Sequence, residues 1–489
     1  MLTQGDFINI EKQASALYEN LELEIIEEIA TRIANFGYAN TVVLNDIKIA
    51  QEMGALYQDI ITLVAKYNNT SYEEVAKIFE KAGAKTLDKD DLIYREAGLN
   101  PVPMKQSRSI MQTMSATIEK TAGNLQNLVM TTATATQTQF YNAMNMAYME
   151  VSTGVKSYTQ SIIDKVKDLS SQGAIITYPS GRNMSLESAV RMNIITGVNQ
   201  TCGKLQELRA DELGWDLMEL TAHSGARPSH ASWQGKIVSR SGKKGYLSLD
   251  DIGYGTATGF KGVNCRHDWY PYYKGSTRTY TQKQLDAWEN EKVIYNGQKI
   301  SKYNATQVQR KMERQIRQDK KELSGLQGIL TSAKDNKLIE ETRTEFGRRS
   351  LIYKTHQNEL DDFIQQTSLK EDITRLYVGK QDKNISTQVA NVTKIANKYN
   401  NSDIVGSKVN GINITEIGEH IISRTYARNV TFEDVIDTLK NPIKYGKIRE
   451  DKSQQIKGKN CTIAINTETG KLITVFPKKT KKDWYYENK

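Results

Sequence analysis

Cysteine is scarce in this chain. Cys202, Cys265 and Cys461 are far apart and odd in number, which excludes a disulfide framework as the source of stability. Proline is scarcer still, with 7 residues in 489. Few helix breakers, together with abundant Gln, Asn, Thr, Glu and Lys, favour long, solvated helices over one large core. Hydrophobic residues make up only 38%. An extended helical scaffold needs partners to bury its apolar stripes, so a component of an assembly is expected. No apolar run approaches the roughly 20 residues of a bilayer span. The opening MLTQGDFINIEKQ has no basic stretch followed by an apolar one. Neither a membrane association nor a secretory signal is therefore expected, and synthesis in a cytoplasm without signal-led export is.

The positive charge is plentiful but unevenly placed. The net charge is +9, and residues 440–489 carry 13 lysines and arginines against 5 acids. A basic segment of this kind attracts polyanions through counterion release, although it also serves as a solubilising tail.

At about 100–200 residues per domain the length suggests some three folding units. The expected class is mainly α, with a central α+β unit and a separate small C-terminal α+β unit of two helices and an antiparallel sheet. Residues 1–172 read as helical. Ile26, Ile29, Ile33 and Phe36 recur at helical spacing before a stop at Gly37. A second helix is expected over 47–67 and a third from Ser71, which has capping-box spacing to Glu74. Over 104–171, Met111, Ile118 and Leu125 lie seven apart, with Met114 and Leu128 at the partner position. That predicts a coiled-coil-like seam, on a helix whose Thr-, Gln- and Met-rich surface suits packing against neighbouring subunits. Residues 173–280 read as a compact α+β core. Residues 281–380 read as charged helix with a solvated face and i,i+4 pairs. Residues 381–407 read as a polar linker, and 408–489 as the C-terminal unit.

The most distinctive text is HSGARPSHASWQG at 223–235, then GYGTATGFKGVNCRH at 253–267 and PYYKG at 271–275. His223, His230, Cys265 and His267 are zinc-type donors. Cys265 and His267, two apart, would share a side on a strand. Paired CxxC spacing is missing, however, and no metal or other cofactor is assigned. The reading preferred here is a polar-aromatic core in which His230 and Trp233 pack in a tight loop, while Asn264 and Arg266 satisfy backbone groups. Ser224, Ser229 or Cys265 beside histidine would suit a nucleophile, but no nucleophile elbow or His-carboxylate pairing is legible.

These words in this order, including Arg227, and the charged helix YNATQVQRKMERQIRQ, resemble the phage minor capsid protein family. That family is encoded beside the portal gene in phages and prophages of low-GC Gram-positive bacteria. The likeness runs from the N-terminus to about residue 380. It implies a minor component of the phage head, close to the portal, partnered with portal and capsid proteins, in the virion and in the host cytoplasm during assembly.

In the C-terminal unit, a helix beginning near Thr415 is expected to carry His420, Arg424 and Arg428 at i, i+4, i+8, beside an apolar stripe of Ile414, Ile417 and Ile421. A second helix, TFEDVIDTLKNP, has Thr431 and Asp434 at capping-box spacing. CTIAIN and KLITVFP around TETG predict a hairpin. An imidazole with two guanidiniums suits metal-independent RNA cleavage, in which 2′-hydroxyl attack needs proton transfer and phosphate stabilisation. The order of these elements resembles the phage-associated branch of the barnase–EndoU–colicin–RelE superfamily of small nucleases. By that resemblance His420 would be the general base or acid, Arg424 and Arg428 phosphate ligands, and Thr474 a hydroxyl donor. Ser453 would stand in the loop where relatives carry a Gly-x-x-Ser element, though the glycine is missing here. Lys457, Lys459, Lys478 and Lys479 would contact the nucleic-acid backbone, and Tyr485 and Tyr486 would stack on bases. RNA, or packaged DNA if the unit only binds, is the implied partner, together with an immunity protein for a toxin-type nuclease.

Overall fold

The computed structural model describes residues 1–37, 42–178, 180–379 and 383–478. Lys479, Tyr485 and Tyr486 lie outside the described residues. The chain begins with helices α1 (Gln4–Leu17), α2 (Glu19–Asn35), α3 (Val42–Glu96), α4 (Arg108–Ser152) and α5 (Tyr158–Gln172). A hairpin, β1 (Ile175–Thr177) and β2 (Asn183–Ser185), leads into α6 (Leu186–Glu212). Strands β3 (Leu217–Leu220), β4 (Ile237–Ser239) and β5 (Trp269–Pro271) form an antiparallel sheet in the order β4-β3-β5. After α7 (Gln282–Glu289) and the hairpin β6 (Lys292–Tyr295) and β7 (Gln298–Ser301) come α8 (Lys302–Ser332), α9 (Asn336–Thr367) and α10 (Lys383–Asn400). Small polar side chains start many of these helices. Thr3, Ser107, Ser157, Ser185, Thr281, Ser301 and Asp335 each accept a first-turn backbone N–H. No described helix is long and apolar enough to cross a membrane.

Several expectations are corrected. The second and third helices are one: α3 runs unbroken through position 71, so no helix begins there. On α4 the buried stripe runs through Ile110, Met114, Ile118, Thr121, Leu125, Val129, Thr132, Thr136, Phe140, Met144 and Ala147, with Ala133 buried beside Thr132. Their spacing averages close to an ordinary helical turn rather than the 3.5 residues of a coiled coil. Met111 accordingly turns to solvent and Leu128 is only partly buried. This stripe packs on α3, α5 and α6 of the same chain.

The charged helix is not a solvated one. Glu313, Arg317, Asp319, Lys321 and Glu322 of α8 are all buried. Their partners come from other helices: Lys321 meets Glu22 at 2.6 Å, Arg317 meets Glu187 at 3.2 Å, and Arg349 of α9 meets Asp319 at 2.8 Å. Close approach makes this possible, because Gly328 lets α8 lie directly on Ala30 of α2. The hairpin β6–β7, on an Asn296-Gly297 turn with both residues at positive φ, interrupts the expected helical stretch.

Residues 383–400, expected within a linker, are helix α10. Toward its N-terminus it contributes Ile385 and Val392 to the main core, and toward its C-terminus it gives Ala396 and Tyr399 to the C-terminal core. That unit contains β8 (Lys408–Val409), β9 (Ile412–Asn413), β10 (Glu416–Ile417), α11 (Glu419–Ala427), α12 (Phe432–Lys440), β11 (Lys444–Tyr445), β12 (Ser453–Lys457), β13 (Cys461–Asn466) and β14 (Lys471–Pro477). The sheet order is β10-β14-β13-β12-β11, antiparallel except for the β10–β14 pair. Thr431 and Asp434 form the expected capping box of α12. Residues 415–418 are not helical, so Ile414 and Ile417 precede α11 rather than lining it. Gly470 closes the β13–β14 turn at φ 71°, where a Cβ would strike the Asn413 carbonyl.

Candidate functional site

The central motif is assembled by loops, not strands. Cys265 and His267 lie in extended chain before β5. The loop that precedes them folds tightly because Gly259 and Gly262 leave no room for a Cβ against the carbonyls of Gly253 and Thr256. Buried Asn199 of α6 then donates to the Cys265 carbonyl at 2.7 Å and accepts from Lys261 Nζ at 2.8 Å. Lys261 is itself buried and paired with buried Asp268. Against desolvation, which raises it, the Lys261 ammonium holds the Asp268 carboxyl below its ordinary range. Neither residue of this pair was singled out in the sequence, although Lys261 lies inside the second of the distinctive words and Asp268 directly follows it.

This scaffold brings His223, His230, Trp233, Cys265 and His267 together. His223 stacks on His267 with centroids 4.5 Å apart, and Trp233 stands edge-on to His267 at 4.8 Å and tilted on His230 at 4.5 Å. His230 Nε2 is 2.9 Å from the Thr258 carbonyl, and His267 Nε2 is 3.2 Å from the Gln234 side-chain oxygen. The two Nδ1 atoms are 3.3 Å apart, and Cys265 Sγ is 3.8 Å from His267 Nδ1. Burial pushes all three imidazoles below their ordinary pKa, so they are neutral, and pushes the Cys265 thiol up. A protonated, buried thiol is a poor nucleophile. Ser224 bonds to Glu291 rather than to a histidine, and Ser229 is exposed. The Asn264 amide N–H donates to Thr196, and the Arg227 guanidinium to the Val263 carbonyl. Arg266, expected on backbone groups, instead pairs with buried Glu11.

Beside the cluster opens a cleft of about 640 Å³ whose wall carries eight arginines and two glutamates. Glu11 gathers Arg191 at 3.5 Å, Arg375 at 2.9 Å and Arg266. Arg310 has no carboxylate within salt-bridge distance among the described residues. Burial first, then Arg375 and Arg266, push it down to about 10. A site with this surplus of guanidinium suits an anion. Its arginines come from five separate stretches of chain, so sequence reading had no local signal for it.

In the C-terminal unit, His420 is exposed on α11, and Arg428 forms the C-cap of that helix. Partial burial, then the charges of Arg424 and Arg428, lower the His420 pKa. Both arginines converge on Glu340 of α9, at 3.0 Å for Arg424 and 2.7 Å for Arg428, and Glu340 is 1% exposed. Arg428 also donates to the Val475 carbonyl at 2.6 Å and to Thr474 Oγ1 at 3.4 Å, and lies over the Phe476 ring at 4.2 Å. Thr474 thus joins the arginine group. Ser453 does not, because it is buried at the start of β12, two strands from β14. Lys457, Lys459 and Lys478 are exposed. Glu340 was missed because it lies 84 residues before Arg424 in a segment already rich in charge.

The family described as phage minor capsid protein 2 matches residues 2–365. A structural protein of Lactococcus phage LL-H is 29% identical over 287 residues, spanning 55% of this chain and 74% of that protein. A structural protein of Lactococcus phage mv4 is 42% identical over 72 residues, spanning 15% of this chain and half of that protein. No solved structure matches the chain. The family match spans the helical body, all of the arginine-lined cleft except Arg375, and the His/Cys cluster, so the chain belongs to the phage minor capsid protein 2 family and is a phage structural protein.

Proposed function

We propose that the protein stands in the phage head beside the portal, and that its C-terminal unit holds packaged DNA on the basic face of its sheet. One observation carries this reading. Lys444, Lys457, Thr462 and Phe476 are register partners in a row across β11, β12, β13 and β14, on the face turned from the core. Arg428 lies over the aromatic end of that row, and Lys459 and Lys478 are exposed near its end. Cations along a strand row, ending on an aromatic ring, suit phosphate contacts with little sequence preference. Arg424 and Arg428 both bind Glu340, whose single carboxylate cancels one of their two charges, which favours attachment to α9 over grip on a scissile phosphate.

A second reading, the metal-independent ribonuclease, is favoured by one arrangement. Neutral, exposed His420 stands on the same short helix as Arg424, and Arg428 reaches Thr474. There His420 would move the protons, the arginines would hold the phosphate, and Thr474 would donate its hydroxyl. An RNA substrate and an immunity partner belong to this reading.

The full chain, incubated with duplex DNA and with tRNA in EDTA, separates the two. DNA binding without RNA cleavage is the expected result. Lys444→Glu with Lys457→Glu should then flatten the slope of log affinity against log salt by about 2. RNA cleavage by wild type that is lost in His420→Ala, leaving 2′,3′-cyclic phosphate ends, would install the ribonuclease instead. Copurification with procapsids tests the location, and a chain found only free in lysate would count against it.

A further inference from the structure

The chain has only five histidines, and three of them stand beside one of its three cysteines. Their ring nitrogens are already sorted. His230 Nε2 donates to the Thr258 carbonyl, and His267 Nε2 donates to the Gln234 side-chain oxygen. A neutral imidazole has one proton, so both Nδ1 atoms carry lone pairs. These lone pairs face each other at 3.3 Å, with Cys265 Sγ 3.8 Å from one of them. The ligand atoms of His230, Cys265 and His267 all lie within 4.8 Å of one another, and the three residues are 2% exposed or less. Three acceptors crowded into one buried corner of the cleft wall, with a single thiol hydrogen to share, is a costly arrangement unless something positive sits between them.

We propose that His230 Nδ1, His267 Nδ1 and Cys265 Sγ bind one Zn²⁺ ion, with water from the adjoining cleft as the fourth ligand. Tetrahedral zinc with bonds of about 2.0–2.1 Å to nitrogen and about 2.3 Å to sulfur sets two nitrogens about 3.3 Å apart and nitrogen from sulfur about 3.6 Å apart. The observed 3.3 and 3.8 Å fit two edges of that frame, and the third pair, within 4.8 Å, closes on it by a small side-chain movement. A mixed imidazole and thiolate set selects zinc over magnesium or calcium, which take oxygen ligands. Thr258 and Gln234, on the far side of each ring, fix ring orientation and strengthen the donors. When the ion binds, the Cys265 thiol proton leaves to solvent and the thiolate lone pair forms the bond, with no change in oxidation state. The ion ties the loop carrying Cys265 and His267 to the 3-10 turn that carries His230, and so fixes one wall of the arginine-lined cleft.

The test uses the untagged full chain, stripped of metal by chelation and titrated with Co²⁺ as a spectroscopic probe. One equivalent should bind, with the visible bands of a four-coordinate ion and a thiolate-to-cobalt charge-transfer band. Cys265→Ser should remove the charge-transfer band, whereas Cys202→Ser and Cys461→Ser should keep it. Protein grown with zinc should contain one zinc per chain by elemental analysis. Gln234→Leu should weaken zinc about 10–100-fold in competition with a chelating dye. A stripped wild-type chain that takes up no cobalt, or a charge-transfer band that survives in Cys265→Ser, overturns the proposal. The wild-type titration decides the matter even if Cys265→Ser fails to fold.

Discussion

Glu340 is 1% exposed and holds two guanidiniums, Arg428 at 8% exposure and Arg424 at 18%. Removing one partner of a buried ion cluster costs more than the cluster contributes, because the remaining charge is stranded. Glu340→Ala is therefore expected to destabilise the chain by about 3 kcal/mol, the lower end of the usual range because Arg424 keeps some water. Arg424→Ala should cost clearly less, since Arg428 still neutralises Glu340. Denaturant midpoints of the two variants check the order, and equal losses would sink the assignment. The i, i+4 spacing of Arg424 and Arg428 was legible in the sequence, and so was the exposed His420 beside them. The acid that engages them was not, because only the fold brings α9 against α11. The same holds in the central motif. His223, His230, Cys265 and His267 were recognisable as a set, whereas the Nε2 acceptors that orient two of them, Thr258 and Gln234, are ordinary residues until placed.

At the scale of the element, apolar periodicity found most of the helices but misjudged what each one faces. The seam on α4 was read at seven-residue spacing from Met111, and the helix buries the neighbouring Ile110 instead. Over the roughly twelve turns of α4 a small error in period rotates the wrong residues inward. On α8 the density of charge suggested water, but its acids and bases are matched by Glu22, Glu187 and Arg349 on separate helices. Such matching is invisible without tertiary placement. The close packing that supports it gives a sharp contrast between two glycines. A Cβ at Gly328 would sit 2.8 Å from the Ala30 Cβ, whereas at Gly54 of α3 nothing lies within 4 Å. Gly328→Val should cost about 1–3 kcal/mol by overpacking α8 against α2. Gly54→Ala should instead stabilise by about 0.4–1 kcal/mol, by restricting the unfolded chain. Thermal melts of both variants check the opposite signs.

At the scale of the whole molecule, the expected linker is the element that joins two cores. Polar, Asn-rich composition hid an amphipathic helix: Ile385, Val392, Ala396 and Tyr399 are buried while the polar residues face out. Because Ile385 and Val392 belong to the main core and Ala396 and Tyr399 to the C-terminal one, unfolding either core should strip packing from the other through α10. A flexible tether would leave the two units to melt independently. The C-terminal unit and the body should therefore unfold together in calorimetry. Asn391 is exposed at the middle of α10, so proline there removes a helical hydrogen bond without emptying either core. Asn391→Pro should cost about 3 kcal/mol and divide the transition in two, the smaller belonging to the C-terminal unit. A wild-type chain that already shows a separate C-terminal transition, unchanged in Asn391→Pro, would mean that α10 does not couple the cores. The rigid attachment matters for the proposed role, because a sheet fixed to the body presents its lysine row in one direction, whereas a tethered sheet would sample many.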